Sequence, residues 1–221
     1  MKWNKPQVCL CVKPGSEPSS ELDYADLLEF RVDLSPEKGL KYLKRELEKL
    51  SSHRKPIILT NRSSGEGGKF MGSEDERINL MKSLLDYVNY IDVELSSRDH
   101  LRDMLIQKAK DKGIKSIVSF HDFSETPSGV WIESVLEKEL ALGDMAKVAF
   151  KAKNPGDITT LYHACLKMSE GSNRIIAIPM GSPLGRIAGV LFNVPIFYSG
   201  DIAPGQLSAR KTRELLDLHA K

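Results

Sequence analysis

The chain contains 221 residues, of which 41% are hydrophobic and 28% are charged, and its formal net charge is +2 at pH 7. This length and hydrophobic content are sufficient for a sizeable core, so we expect residues 1–221 to form a single domain. The small net charge excludes the strongly basic surface that is typical of nucleic-acid-binding proteins.

Three cysteines, Cys9, Cys11 and Cys165, are too few for a disulfide framework and indicate reduced thiols. The first residues, Met-Lys-Trp-Asn-Lys-Pro, contain no apolar segment of signal-peptide length. No run in the chain reaches the roughly 18 apolar residues that a membrane span requires. We therefore expect a cytoplasmic protein that binds neither nucleic acid nor a membrane.

Short apolar runs alternate with helical patterns along the whole chain. In chain order, the predicted elements are a strand at 7–12, a brief helical piece at 21–26, a strand at 27–33, a helix at 37–50, a strand at 56–61, a helix from 73 to about 87, a strand at 90–95, a helix at 97–112, a strand at 114–120, a helix at 127–142, a strand at 145–150, a helix at 157–169, a strand at 174–179, a helix start within 181–191, a strand at 195–198 and a final helix to about 219.

Several helix boundaries carry their own signals. Ser35-Pro36 is the pattern of an N-cap followed by proline at the first helical position. Ser73 followed three residues later by Glu76 is a capping-box pattern. Gly113 and Gly143 each stand where a helix is expected to end.

Alternating strands and helices predict a parallel sheet. Eight such repeats in one domain of this size predict an α/β fold of the closed (β/α)₈ TIM-barrel type. A doubly wound open sheet is the alternative, but it usually carries a Gly-rich fingerprint after the first strand. The sequence at 12–15, Val-Lys-Pro-Gly, is not such a fingerprint.

Polar residues recur at every second position of the predicted strands. They are Glu29, Arg31 and Asp33 in the second strand, Thr60 and Arg62 in the third, Asp92 and Glu94 in the fourth, Ser119 and His121 in the fifth, and Lys147 in the sixth. The outer face of a parallel barrel packs against helices and must be apolar, so the polar face points inward. An ion pair or an exposed strand end would explain one such strand. Charged side chains in five strands instead indicate a functional site at the C-terminal strand ends.

Lys147 lies in an apolar stretch, Met145-Ala-Lys-Val-Ala-Phe150, in which Ala146, Val148 and Phe150 share one face. Burial disfavours a charged ammonium, and a desolvated lysine can become a free amine that attacks a ketone and forms a Schiff base. The alternative is a lysine that extends along the strand end to solvent. The polar residues of the neighbouring strands favour the first interpretation.

The resulting constellation combines one amine, one imidazole, several carboxylates and two guanidiniums: Glu29, Arg31, Arg62, Glu66, Asp92, Glu94, His121 and Lys147. A neutral His121 can take up a proton and later return it. Metal binding by Asp92, Glu94 and His121 is a weaker alternative, because lysine and arginine already supply positive charge. The loop at 65–68 could bind phosphate through its amides, but Glu66 argues against an anion there.

Seven pieces of the sequence occur in the order of a known family. They are Glu29-Phe-Arg-Val-Asp33, Thr60-Asn-Arg62 with Glu66-Gly-Gly68, Asp92-Val-Glu94, Ser119-Phe-His-Asp-Phe123, Lys147-Val-Ala149, Met180-Gly181 with Gly185-Arg186 and Gly189, and Ala203-Pro-Gly-Gln206. With these pieces the chain resembles the type I 3-dehydroquinate dehydratases, Schiff-base lyases of the shikimate pathway and of aromatic amino acid biosynthesis. The resemblance implies a single barrel as the catalytic domain, a homodimer in the cytoplasm, no cofactor and no metal.

The resemblance also implies a role for each matching residue. Lys147 would form an imine with the C3 ketone of 3-dehydroquinate. His121 would abstract a C2 proton and then protonate the departing C1 hydroxyl, with Glu66 positioning and tuning it. The residues implied to bind substrate are Glu29, Arg31 and Arg62 at the ring hydroxyls, Arg186 at the carboxylate and Gln206 as a cover over the site.

Two positions depart from the family pattern. Some members have a serine four residues before the glutamine, where this chain has Ile202, and some have a serine at the position of Cys11. Two other functions remain open from the residues alone: another Schiff-base barrel of the aldolase or transaldolase type, and a non-catalytic carboxylate-binding barrel. Aldolases of this type typically act on phosphorylated sugars, and the chain has no clear phosphate loop.

Overall fold

Eight strands and seven α-helices alternate in a computed structural model that describes residues 5–16, 20–169 and 171–219. Residues 1–4, which begin the segment considered for a signal peptide, lie outside the described residues. The strands are β1 Gln7–Val12, β2 Leu27–Arg31, β3 Ile57–Thr60, β4 Tyr90–Glu94, β5 Lys115–Asp122, β6 Met145–Lys151, β7 Ile175–Met180 and β8 Ile196–Ser199. The α-helices are α1 Leu40–Ser51, α2 Glu74–Lys82, α3 Asp99–Asp111, α4 Gly129–Leu142, α5 Pro155–Ser169, α6 Pro183–Ala188 and α7 Ala209–His219.

All paired strands are parallel and form one sheet in the order β7-β6-β5-β4-β3-β2-β1-β8. The first strand pairs with β2 on one side and β8 on the other, so the sheet curves into a barrel. Among the described residues, β7 and β8 are not paired with each other, which leaves the barrel nearly closed. The predicted (β/α)₈ TIM barrel is confirmed. None of the described helices has the length and apolar character to cross a membrane.

Two separate apolar layers follow from the alternation of side chains along the strands. The layer between sheet and helices includes Ala146, Val148 and Phe150 of β6, as the sequence predicts. The layer inside the barrel is smaller and includes Ile58, Ile117, Ile176 and Ile196. The interior therefore has an apolar floor, and the polar residues of the same strands lie above it at the C-terminal strand ends.

The predicted start of the first helix is wrong. Helix α1 begins at Leu40 with Gly39 as its N-cap, whereas the amide of Ser35 donates to the Val32 carbonyl and closes a 3₁₀ turn. Within this turn, Asp33 accepts hydrogen bonds from the Arg31 side chain and from the backbone amides of Arg62 and Lys69, which connect the segment after β2 to the loop after β3. The capping box of α2 is confirmed, since the Ser73 hydroxyl accepts from the Glu76 amide and the Glu76 carboxylate accepts from the Ser73 amide.

Glu139 of α4 is a fully buried acid behind β6 that the sequence analysis missed. Its Oε2 accepts a hydrogen bond from the backbone amide of Lys147 at 3.1 Å, while its Oε1 has no partner among the described residues. Burial raises the pKa of Glu139 well above its usual value of 4.5. The side chain therefore connects β6 to α4 through a hydrogen bond, and the environment favours its protonated form.

We expect Glu139→Gln to stabilise the protein increasingly as the pH rises from 5 to 8. The folded-state pKa of Glu139 is raised, so its contribution to stability is complete below the unfolded pKa and is lost as the pH rises toward the folded pKa. Glutamine keeps an acceptor for the Lys147 amide and does not titrate. Thermal unfolding at pH 5 and pH 8 measures the difference, and Glu139→Leu is the control that removes the acceptor. An equal shift of Tm at both pH values would contradict the expectation.

Candidate active site

The C-terminal strand ends surround a small cavity that is lined mainly by charged and polar side chains. The eight side chains to which the resemblance gives a role all line it: Glu29, Arg31, Arg62, Glu66, His121, Lys147, Arg186 and Gln206. Asp92 and Glu94, the other two residues of the predicted constellation, are buried and do not line it. The lining side chains come from strands β2, β5 and β6, from the loops after β3 and β8, and from helix α6, which the barrel brings together.

Lys147 lies in the wall of this cavity and is only 3% exposed. Its Nζ is 2.7 Å from Asp92 Oδ2 and 3.8 Å from Glu29 Oε1. The same nitrogen lies over the ring of Tyr198, 4.2 Å from the ring centroid. The side chain therefore does not extend to solvent, and the alternative of an exposed strand-end lysine is wrong.

Asp92 is shared between two cations. Its Oδ1 accepts from Arg62 Nη2 at 2.8 Å and from the Ser119 hydroxyl at 2.6 Å, while its Oδ2 faces Lys147. Burial alone would raise the pKa of Asp92, but Arg62 and Lys147 hold it well below its usual range. Asp92 is thus a fixed anion and a poor proton acceptor.

Glu94 is likewise neutralised by arginine. Its Oε1 lies 3.0 Å from Arg62 Nη1 and its Oε2 lies 2.8 Å from Arg77 Nη1. The carboxylates proposed as alternative metal ligands are therefore occupied by guanidinium groups.

His121 and Glu66 form a hydrogen-bonded pair above Lys147. Glu66 Oε2 lies 2.9 Å from His121 Nδ1 and accepts from the His121 amide at 2.9 Å, while the Ser96 hydroxyl donates to Glu66 Oε1. Burial, with Arg62 and Lys147 nearby, lowers the pKa of His121 well below 6.5. Burial raises the pKa of Glu66 to about 7. A neutral imidazole is therefore held in one orientation at neutral pH.

Two glycines place Glu66 over the end of β3. Glu66 ends a 3₁₀ turn, and Gly67 follows in the left-handed region with φ of 78°. A Cβ at Gly68 would lie 2.0 Å from the carbonyl oxygen of Arg62, so only glycine allows the loop to approach the strand this closely. This explains the local sequence Glu-Gly-Gly.

Arg186 is the cavity guanidinium whose charge is not balanced. Its Nη2 donates to the Pro204 carbonyl at 2.8 Å, its buried Nε has no partner among the described residues, and burial lowers its pKa to about 10. Arg31, in contrast, donates two hydrogen bonds to Asp33 at 2.9 and 2.8 Å. Because none of the described carboxylates pairs with Arg186, this side chain is suited to an anionic ligand.

Gln206 stabilises the loop that follows β8 through hydrogen bonds to its backbone. Its Oε1 accepts from the amides of Ile202 and Ala203 at 2.8 and 2.9 Å, and its Nε2 donates to Cys11 Sγ at 3.4 Å. The Cys11 thiol in turn donates to Glu29 Oε2 at 3.1 Å. Of the two positions that depart from the family pattern, Ile202 lines the cavity, and Cys11 contacts two side chains that line it.

Several contributing side chains were missed from the sequence. Tyr198, Phe123 and Met180 line the cavity, and Ser96 supports Glu66. The inward orientation of Tyr198 could have been predicted, because it lies two positions after the inward-facing Ile196 in β8. Ser96 carried no such signal, because it lies in an irregular segment after β4.

Comparison with known proteins identifies similar barrels. Residues 13–221 match the family model of type I 3-dehydroquinase. The 3-dehydroquinate dehydratase of Methanobrevibacter smithii is 39% identical over 197 residues, which cover 88% of this chain and 84% of that protein. The solved type I 3-dehydroquinate dehydratase of Clostridium difficile, with covalently modified comenic acid, has a TM-score of 0.87 and 29% identity, and covers 97% of this chain and 92% of its own. The 3-dehydroquinate dehydratase of Aquifex aeolicus has a TM-score of 0.83 and 32% identity, with coverage of 95% and 96%.

We expect the His121 ring to remain neutral from pH 6 to 8, because its pKa lies well below 6.5. A change in its Nδ1 chemical shift near pH 7 should instead report the titration of Glu66. Nitrogen-15 NMR of the labelled imidazole measures both effects, and Glu66→Gln should remove the change near pH 7. The pattern of an imidazolium at pH 6 would contradict this assignment.

Proposed function

The chain belongs to the type I 3-dehydroquinase family, and we propose that Lys147 carries its reaction as an imine with the substrate ketone. The enzyme is a hydro-lyase that removes water from 3-dehydroquinate to give 3-dehydroshikimate, a step of aromatic amino acid biosynthesis. The family assignment excludes the two other functions that the residues alone left open, an aldolase-type barrel and a non-catalytic carboxylate-binding barrel. The observation that carries the mechanistic proposal is the burial of the Lys147 amine in the cavity wall between Asp92 and Tyr198.

The imine makes the elimination easier in a defined sequence. Lys147 Nζ first gives one proton of its ammonium to His121 and then attacks the C3 carbonyl carbon. That proton and a second one from Nζ pass to the carbonyl oxygen, which leaves as water, so that a protonated imine with one N–H bond remains and His121 is neutral again. This cation withdraws electrons from C2 and acidifies the C2–H bond. After proton removal, the electron pair returns through C2 and expels the C1 hydroxyl. Hydrolysis of the imine releases the product and restores Lys147.

His121 is the group proposed to move the proton. Its lowered pKa keeps the imidazole neutral at neutral pH, so it can accept the C2 proton. The same proton then passes to the departing C1 hydroxyl, which leaves as water, and His121 returns to its neutral state. Glu66, at 2.9 Å from Nδ1, orients the ring and sets which nitrogen faces the substrate.

Charge balance supports the remaining assignments. Arg186 has no described carboxylate partner and is proposed to bind the substrate carboxylate. Glu29, Arg31 and Arg62 are proposed to hold the ring hydroxyls. Gln206 is proposed to cover the bound ring from the loop that it fastens.

The proposal includes a homodimer in the cytoplasm, which the family resemblance implies. Consecutive elements expose large apolar side chains, with Leu184 of α6 at 77% and Leu191 of the next 3₁₀ turn at 59% exposure. An apolar surface of this kind is compatible with contact between two copies of the chain.

We expect Lys147→Ala to reduce kcat at least about 1,000-fold, because no second lysine lines the cavity in the part of the chain that the structure describes. Lys147→Arg is the matched control, since it keeps a cation beside Asp92 but cannot form an imine. Both variants should be inactive in a dehydration assay while their circular dichroism remains that of the parent. Substantial turnover by either variant would exclude the Schiff-base role.

We expect Arg186→Ala to raise KM about 10- to 100-fold with a smaller effect on kcat, because a charge-assisted hydrogen bond to the substrate carboxylate is lost. Arg186→Lys should give an intermediate KM, since lysine keeps the charge but lacks the planar fork. Steady-state kinetics separate the two parameters. An unchanged KM in Arg186→Ala would place the carboxylate elsewhere.

A further inference from the structure

Tyr198 is the aromatic side chain in direct contact with the reactive lysine. It lies in β8, lines the cavity and is only 7% exposed. Lys147 Nζ lies over the face of its ring, 4.2 Å from the centroid. The face of an aromatic ring carries negative charge density and attracts a cation in this position, most strongly where water is excluded.

When an imine forms, Lys147 Nζ loses N–H bonds. This change affects its hydrogen bonds to carboxylates but not its contact with the Tyr198 ring. The ammonium has three N–H bonds for Asp92 at 2.7 Å and Glu29 at 3.8 Å. A protonated imine keeps the positive charge but has one N–H bond, so it can satisfy one of these carboxylates. Attraction to the ring face requires no N–H bond, and it therefore persists through the change from ammonium to protonated imine.

We propose that Tyr198 is a further catalytic residue of the dehydration, whose ring face stabilises the positive charge of the protonated imine at Lys147 Nζ. This inference rests on the proposed imine. The charged form is the one that withdraws electrons from C2, because a neutral imine is a weaker electron acceptor. By favouring that form, the ring increases the fraction of bound substrate that is ready to lose its C2 proton.

The hydroxyl of Tyr198 is not needed for this role. It is buried and has no hydrogen-bond partner among the described residues. Burial, followed by the nearby Cys9 thiol and the Glu29 and Asp92 carboxylates, raises the pKa of Tyr198, so the phenol stays protonated. Removal of an unpartnered buried hydroxyl is nearly neutral or stabilising. The ring and the hydroxyl can therefore be tested separately.

The first experiment compares Tyr198→Phe with Tyr198→Leu. Phenylalanine keeps the ring and should retain kcat within about twofold, whereas leucine removes the ring and should lower kcat about tenfold or more, with a smaller change in KM. Thermal unfolding of both variants reports whether the barrel remains folded. A purely structural role would lower the unfolding temperature of Tyr198→Leu without lowering kcat relative to KM.

A second experiment keeps the shape of the side chain. Phenylalanine analogues with increasing numbers of ring fluorines, incorporated at position 198, withdraw electrons from the ring face and weaken its attraction for a cation. The logarithm of kcat should fall steadily with fluorine number. This series remains informative if Tyr198→Leu does not fold.

Three results would overturn the inference. They are an unchanged kcat in a folded Tyr198→Leu, an equal loss in Tyr198→Phe, which would assign the role to the hydroxyl, and a kcat that does not depend on fluorination. The parent enzyme is treated in parallel with substrate and borohydride. If no reduced adduct forms on the parent, the imine itself is absent and the proposed function fails; if the adduct forms and kcat is unaffected, only the inference about Tyr198 fails.

Discussion

The ion pair between Lys147 and Asp92 is the contact on which the rest of the site depends. Both side chains are buried, and burial of an isolated charge is costly unless a partner compensates for it. Asp92 compensates Lys147 on one side and Arg62 on the other, and Arg62 also pairs with Glu94. Loss of Asp92 would leave Lys147 with only the Glu29 carboxylate, whose Oε1 is 3.8 Å from Nζ. The barrel can hold this network because its apolar floor lies below and its helices exclude water from outside.

The same network determines which group can move protons. Two nearby cations and burial keep His121 neutral, whereas Asp92 is held as a fixed anion that accepts a proton poorly. The base of the reaction is therefore the imidazole, although a carboxylate lies nearer to the lysine. Arg186 stands apart from the network and keeps its charge available for a ligand. The electrostatics of the site thus assign the roles of nucleophile, base and anion-binding group to three different side chains, Lys147, His121 and Arg186.

Most of the fold and the strand residues of the site were predictable from periodicity, whereas Arg186, Gln206 and the role of Glu66 were predicted only from the family resemblance. Alternating strands and helices identify the barrel, and polar residues at every second strand position identify what faces inward. Side chains whose role depends on distant partners were not predictable. From α4, which packs outside the barrel, Glu139 accepts a hydrogen bond from the Lys147 amide, and Ser96 donates to Glu66 from an irregular segment. Ser35 has the local pattern of a helix cap, but the preceding residues form a 3₁₀ turn in which Asp33 accepts hydrogen bonds from the distant amides of Arg62 and Lys69.

The most direct test of the imine is to identify the atom that becomes attached to the substrate. The enzyme is mixed with 3-dehydroquinate, reduced with borohydride, digested and examined by peptide mass spectrometry. We predict one stable adduct, on the peptide that contains Lys147 and at Nζ of that residue. Consumption of substrate with no adduct, or with an adduct on a different residue, would contradict it.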